Sequence, residues 1–139
     1  MPPCYNHKPT LFLTQFRKRI VMVANAIPDI VAELEQAIGT PYSHFDHTTR
    51  ALYSTDASNY QIMPIGVTYP RTVEDVVAIH EITARHNTPL LPRGGGSGLA
   101  GQTVGEAVIM DFSRYLRRVR SVNADERTVV VESGMVLEQ

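Results

Sequence analysis

Residues 92–103 read PRGGGSGLAGQT, and five of the eight positions from Gly94 to Gly101 are glycine in a chain with nine in all. Such a run costs conformational entropy and packs almost nothing, so it is expected where something comes close to bare backbone. Gly96, Gly98 and Gly101 also spell G-x-G-x-x-G, the dinucleotide fingerprint.

Three glycine-rich anion loops compete for this stretch. A Walker loop has the right spacing from Gly96 to Gly101, but Gln102 stands where the phosphate-binding lysine is required. A Rossmann turn should open a long helix, with an acid about 20 residues further on. Here QTVGEAVIMDF follows, a β-branched run with another glycine, and the acid's place falls near Ser121. The third reading is a loop between two strands whose consecutive amides form a nest for an anion. Ser97, Gln102 and Thr103 would add side-chain donors, and Arg93 would supply charge or brace the loop. The plain alternative is a flexible surface turn.

The flanks supply the strands. MPIGVTYP, from Met63, reads as a short strand closed by Pro70. Thr72 to Asp75 then form a capping box in which the Asp75 carboxylate reaches back, and the helix is expected to bury Val73, Val76, Val77, His80 and Ala84 before Asn87 ends it. His80 reads as a core or edge histidine and not a catalytic one. PLLP is a very short strand leading into the loop, and EAVIMDF is a buried strand after it. SRYLRRVRSVNADE reads as a turn, RTVVVESG as another strand, and GMVLEQ as the start of a helix. Strand, helix and second strand make a parallel βαβ unit.

Upstream, Ile30, Val31, Leu34 and Ile38 have helical spacing and Gly39 is a stop, while residues 11–26 form a looser helical stretch. Residues 1–10 carry three prolines and no apolar period. Residues 40–62 read as irregular. His44, Asp46 and His47 there resemble metal ligands, but without a second cluster they predict no metal site. Residues 1–45 are thus expected as a mostly helical N-terminal extension, and 46–139 as the first part of a cofactor-binding domain.

Composition excludes several classes. The formal net charge of −1 gives no basic field for nucleic acid, and the cluster Arg114, Arg117, Arg118 and Arg120 lies among acids. A single cysteine, Cys4, excludes a disulfide framework and fits a reducing compartment. RKRIVMVANA imitates a leader, but its apolar run from Ile20 to Ala24 is shorter than the ~7–15 residues a signal needs. No stretch approaches the ~18 apolar residues of a membrane span. A cytoplasmic chain is expected.

Taken together, Pro70 to Val73, Pro92 to Gly101, Asp111 to Ser113 and Val131 to Gly134 resemble the motifs of the FAD-linked oxidases of the vanillyl-alcohol oxidase and p-cresol methylhydroxylase type. The resemblance spans roughly residues 50–139. It implies an α+β fold, the βαβ-containing first subdomain of the PCMH-type FAD-binding domain. LYSTDASNYQIMP, Leu52 to Pro64, together with GLAGQTVG is similar to the branch oxidising D-2-hydroxy acids: D-lactate dehydrogenase, glycolate oxidase and D-2-hydroxyglutarate dehydrogenase. By that resemblance Gly94, Gly95, Gly96, Ser97, Gly98, Gly101 and Gln102 contact the FAD diphosphate, while Pro92, Arg93 and Thr103 shape or flank it. Covalently flavinylated relatives carry histidine where Ser97 stands, which implies dissociable FAD.

The same resemblance implies a second subdomain, a cap domain and, in the long members, a C-terminal iron–sulfur domain. None of these fits within the sequence, so the expectation is the cofactor-binding part of a larger enzyme or, alternatively, a non-catalytic fragment or split subunit that binds FAD only with a partner chain completing the fold. No residue here is expected to be catalytic.

Overall fold

The computed structural model describes residues 29–136. Its centre is β4 (Val108–Asp111), whose four residues are all buried. An uninterrupted buried run of this kind is what a central parallel strand requires. β2 (Gly66–Thr68) pairs with one edge of β4 and β3 (Leu90–Arg93) with the other, both parallel. β1 (Ser43–His44) adds an antiparallel edge, giving the order β1-β2-β4-β3. The expected βαβ unit is present with one refinement: β2 and β3 are not neighbours, because β4 inserts between them.

Period-two alternation gives the sheet two apolar faces. Val108 and Met110 face a cluster built from Ile30, Leu34 and Ile38 of α1 (residues 29–38) and Ile79 and Ile82 of α3 (Val73–Arg85). On the other face Ile109 joins Val67 and Tyr69. Residues 30–45, counted with the N-terminal extension on sequence, therefore share this core. The looser helical stretch expected at 11–26 and the Pro-rich start lie outside the described residues, as does most of the helix expected from Gly134.

Two terminal devices fix the helices. α1 stops at Gly39, which takes φ 91, a left-handed value open to glycine. α3 starts on Thr72, whose hydroxyl accepts the Asp75 amide at 3.2 Å. The Asp75 carboxylate does reach back, but to Arg71: Oδ2 accepts from its amide at 2.9 Å and its Nε at 3.0 Å. Arg71 also donates to the Ile38 carbonyl at 3.2 Å and lies over the Tyr42 ring, tying the end of α1 to the start of α3.

Three readings are corrected. α3 buries Asp75, Ile79, Ile82 and Thr83, while Val73 and Val77 are 57% and 50% exposed and His80 and Ala84 face solvent. The apolar stripe is real, but rotated toward the isoleucines, which carry more apolar area. Residues 40–62 are not wholly irregular: a 3-10 turn at Thr40–Tyr42, β1 and α2 (His47–Leu52) occupy part of them. The expected turn after Ser113 contains β5 (Val119–Asn123), which forms an antiparallel hairpin with β6 (Thr128–Val131). Every residue of both strands is exposed.

Gly134 is where this fold leaves least room. A Cβ there would collide with the Phe112 carbonyl oxygen, a backbone atom that cannot swing aside. At Gly105 the nearest atom is a Leu91 methyl at 3.6 Å. Denaturant unfolding should show G134A destabilised by about 2–4 kcal/mol and G105A within about 1 kcal/mol of the parent.

Candidate functional site

β3 ends at Arg93, opposite Asp111 at the end of β4, so the glycine loop leaves the sheet at the carboxyl ends of its parallel strands. Ligands gather at this end of open parallel sheets. The loop must then return the full length of the sheet to start β4 parallel to β3, a crossover that a helix usually makes. Residues 94–107 make it without one, and bends and turns fill the segment.

Arg93 accounts for how so bare a segment holds its shape. Its guanidinium donates to the carbonyls of Tyr53 at 3.5 Å, Thr55 at 3.0 Å and Thr103 at 3.3 Å. It also lies over the Tyr53 ring, 5.0 Å from the centroid. Nη1 and Nη2 thus serve three carbonyls from two separate segments. Of the two roles open to Arg93 on sequence, the structure has it bracing the loop.

The opposite strap is Asp56. Its carboxylate accepts from the Ser58 amide at 2.8 Å and the Thr103 hydroxyl at 2.7 Å. The Ser58 side chain first, then the Thr103 hydroxyl and the Ser58 amide hold its pKa down to about 2. The Ala57 amide donates to the Gly96 carbonyl at 3.0 Å. Beneath them the Tyr53 hydroxyl donates to Asp111 Oδ2 at 2.5 Å, and Asp111 Oδ1 accepts the Ser113 amide at 2.7 Å. Burial, reinforced by that hydrogen bond, pushes the Tyr53 pKa up, so it stays a donor.

The glycines divide by what their surroundings demand. Gly96 takes φ 65, and a Cβ would lie 2.6 Å from Nη2 of Arg93. Gly101 takes φ 73, and a Cβ would run into the Tyr60 ring. Gly98 has the Gln102 side chain folded against it, with Nε2 where a Cβ would need room. Gly94 and Gly95 are different. Neither has a positive φ, and a Cβ on either would meet nothing within 4 Å. Nothing among the described residues requires glycine there; a group lying against the backbone would.

The loop's amides point the same way. From Gly94 to Ala100 no backbone N–H donates a hydrogen bond to another described residue, although Gly96 is buried. A buried amide is ordinarily paired, so this run has capacity for an acceptor. Ser97 is exposed at the middle of the loop, and Pro92 is exposed on β3 opposite Met110.

The other candidates are committed elsewhere. Asp46 caps α2 by accepting the Thr49 amide at 2.9 Å, and His44 contacts the Pro41 carbonyl. Among the described residues no group of three or more His, Cys, Asp or Glu could hold a metal. Arg114 lies over the Tyr69 ring, and Arg120 pairs with Glu132 at 2.6 Å. Sequence reading missed Asp56 and Tyr53 as individual supports. The Asp-x-Ser pattern at 56–58, typical of a side chain capping its own turn, was the available signal.

Comparison with known proteins gives concordant findings. The FAD binding domain family matches residues 64–139, more than half of the chain. D-2-hydroxyglutarate dehydrogenase of Escherichia coli is 35% identical over 120 residues, covering 84% of this chain and 12% of that protein. Glycolate oxidase subunit GlcD of Bacillus subtilis is 28% identical over 110 residues, covering 78% of this chain and 23% of GlcD. The chain thus spans well under a third of either relative. The structure of p-cresol methylhydroxylase with substrate bound superposes with a TM-score of 0.68 at 16% identity, covering 83% of this chain and 24% of that one. That likeness shows the fold, the α+β arrangement expected from the sequence.

Two measurements check the supports. R93M should lose about 2–3 kcal/mol of stability, because the variant leaves three carbonyls, two of them in partly buried contacts, without their charged donor. The second concerns acid. The Asp56 pKa is depressed from 3.8 in the folded chain, so its contacts stabilise above that value and are lost as pH falls toward about 2. The stability gap between the parent and D56A should therefore be constant from pH 5 to 8 and close between about pH 4 and 2 in thermal melts.

Proposed function

The chain belongs to the FAD binding domain family, and on that premise we propose that its glycine loop holds the diphosphate of FAD as the cofactor-binding part of an oxidoreductase acting on D-2-hydroxy acids. The observation that carries this reading is the open space over Gly94 and Gly95. A pyrophosphate resting there would find bare backbone and a run of amide donors, the chemistry of an anion nest. Gly94, Gly95, Gly96, Ser97, Gly98, Gly101 and Gln102 would line it. Pro92, Arg93 and Thr103 would flank it, with Arg93 acting through the backbone it braces.

When bound, FAD supplies the hydride acceptor; the protein supplies binding and orientation. This chain's part is to grip the dinucleotide at its phosphates. Ser97, exposed at the middle of the loop, has no nitrogen to bond the flavin, which supports a dissociable cofactor. The hydroxy-acid assignment rests on the names of the two relatives, and the groups that bind and deprotonate the substrate would come from polypeptide beyond this match. A reducing, cytoplasmic setting belongs to the same reading, supported by the single cysteine.

One observation favours a companion reading, in which FAD is retained only once further polypeptide packs on the chain. The β5–β6 hairpin is exposed throughout, with Val122 71% and Val130 57% accessible. An isolated two-stranded hairpin is marginal in water, so a covering partner would stabilise it.

The test is to place methyl groups where only a ligand would feel them. G94A and G95A should melt with the parent, within about 1 kcal/mol, yet bind FAD at least about tenfold more weakly in a fluorescence titration. Unchanged FAD affinity in both variants would overturn the assignment. Uptake by the parent only after a second polypeptide is added would favour the companion reading.

A further inference from the structure

Tyr60 is held against the glycine loop more firmly than an exposed side chain needs to be. Its ring lies over Gly101, so close that a methyl group at residue 101 would overlap it. Yet Tyr60 is 59% exposed, and most of its surface faces away from the protein. A lone exposed aromatic is ordinary. What sets this one apart is that the backbone carrying it is fixed from both sides.

The Asp56 carboxylate caps the Ser58 amide, and the Ser58 hydroxyl accepts the Tyr60 amide at 3.2 Å. Asp56 is itself tied to the loop through Thr103. On the far side Thr55 and Gln61 form an antiparallel bridge, and the Ile62 amide donates to the Ser54 carbonyl at 2.9 Å. Residues 55–61 are therefore a closed turn, stapled to the glycine loop at Gly96 and Thr103, with Tyr60 against Gly101.

We propose that Tyr60 contacts FAD, presenting its exposed face to one of the dinucleotide's two ring systems beside the diphosphate. The inference rests on the glycine loop being the diphosphate site. Aromatic faces bind planar heterocycles by stacking, and a ring already fixed in place loses little freedom on binding. On this account Gly101 is glycine to seat the ring as well as to turn the chain, and the 55–61 turn is a second wall of the site. Isoalloxazine and adenine offer the same stacking chemistry, and the test separates them.

The full chain and its Y60L and Y60F variants would be titrated with FAD, FMN and ADP, with flavin emission and ligand affinity read together. Y60F keeps the ring and should match the parent in affinity and in flavin quenching. Y60L should melt with the parent and bind FAD about tenfold more weakly. A matching loss for FMN with ADP unchanged identifies isoalloxazine as the partner; a matching loss for ADP with FMN unchanged identifies adenine. If the parent binds FAD and Y60L binds all three ligands as the parent does, the Tyr60 contact is wrong while the diphosphate loop stands. If the parent binds neither FAD nor ADP, alone or with the second polypeptide added, the loop assignment falls and takes this inference with it. Loss of affinity in Y60L that Y60F shares in full would also overturn it, since the ring would not be the operative group.

Discussion

Three carbonyl oxygens from segments far apart in sequence converge on one guanidinium, and the site depends on that convergence. Arg93 stands at the last position of β3, where the chain leaves the sheet and loses the ladder's hydrogen bonds. Ahead lies a stretch with almost no side chains to pack. A loop this rich in glycine has a large ensemble to choose from, and ordering it costs on the order of 1–2 kcal/mol per residue. Arg93 offsets part of that cost from below, by joining Thr103 on the returning limb to Tyr53 and Thr55 on a separate segment. Arginine suits the position because its fork presents several donors at fixed angles and remains charged.

The consequence is a division of labour within one loop. The end next to the sheet, Gly94 and Gly95, is left bare, while Gly96 and Gly101 accommodate the guanidinium and the Tyr60 ring. Arg93 is directed to carbonyl oxygens of its own chain, so on the proposed reading anion binding would fall to backbone amides. Such a site would discriminate by shape and by donor count more than by attraction at a distance. The Asp56 strap completes the arrangement from the opposite limb, and the part-buried Tyr53–Asp111 pair anchors it to the sheet.

The parts of this that could be read in the sequence were those with a local cause. Ile30, Leu34 and Ile38 announced α1 by spacing, Gly39 its end, and Thr72 the start of α3 by its hydroxyl. Residues VIMD announced a buried strand by being apolar without interruption up to the closing aspartate. The glycine loop was legible because five glycines in eight residues have nothing of their own to pack and so imply a close neighbour. What failed did so where tertiary packing chooses between locally equal options. Val73, Val77 and His80 form a plausible stripe on α3, but Ile79 and Ile82 have more area to bury and turned the helix toward themselves. β4 between β2 and β3 is a matter of long-range pairing, and no local pattern encodes strand order. The brace was legible only as an option: Arg93 beside five glycines could equally have faced a phosphate, and two of its acceptors are carbonyls about forty residues away in sequence.

The most direct test of the central claim is residue-resolved. Amide chemical shifts of the isotopically labelled chain would be followed while ADP, FAD and inorganic phosphate are added in turn. If the glycine loop is the diphosphate site, shifts caused by FAD should concentrate on the amides of residues 94–103. ADP should move the same signals, and phosphate should move them more weakly. Saturable binding with shifts elsewhere, for instance along the β5–β6 hairpin, and with the glycine amides unmoved, would contradict it.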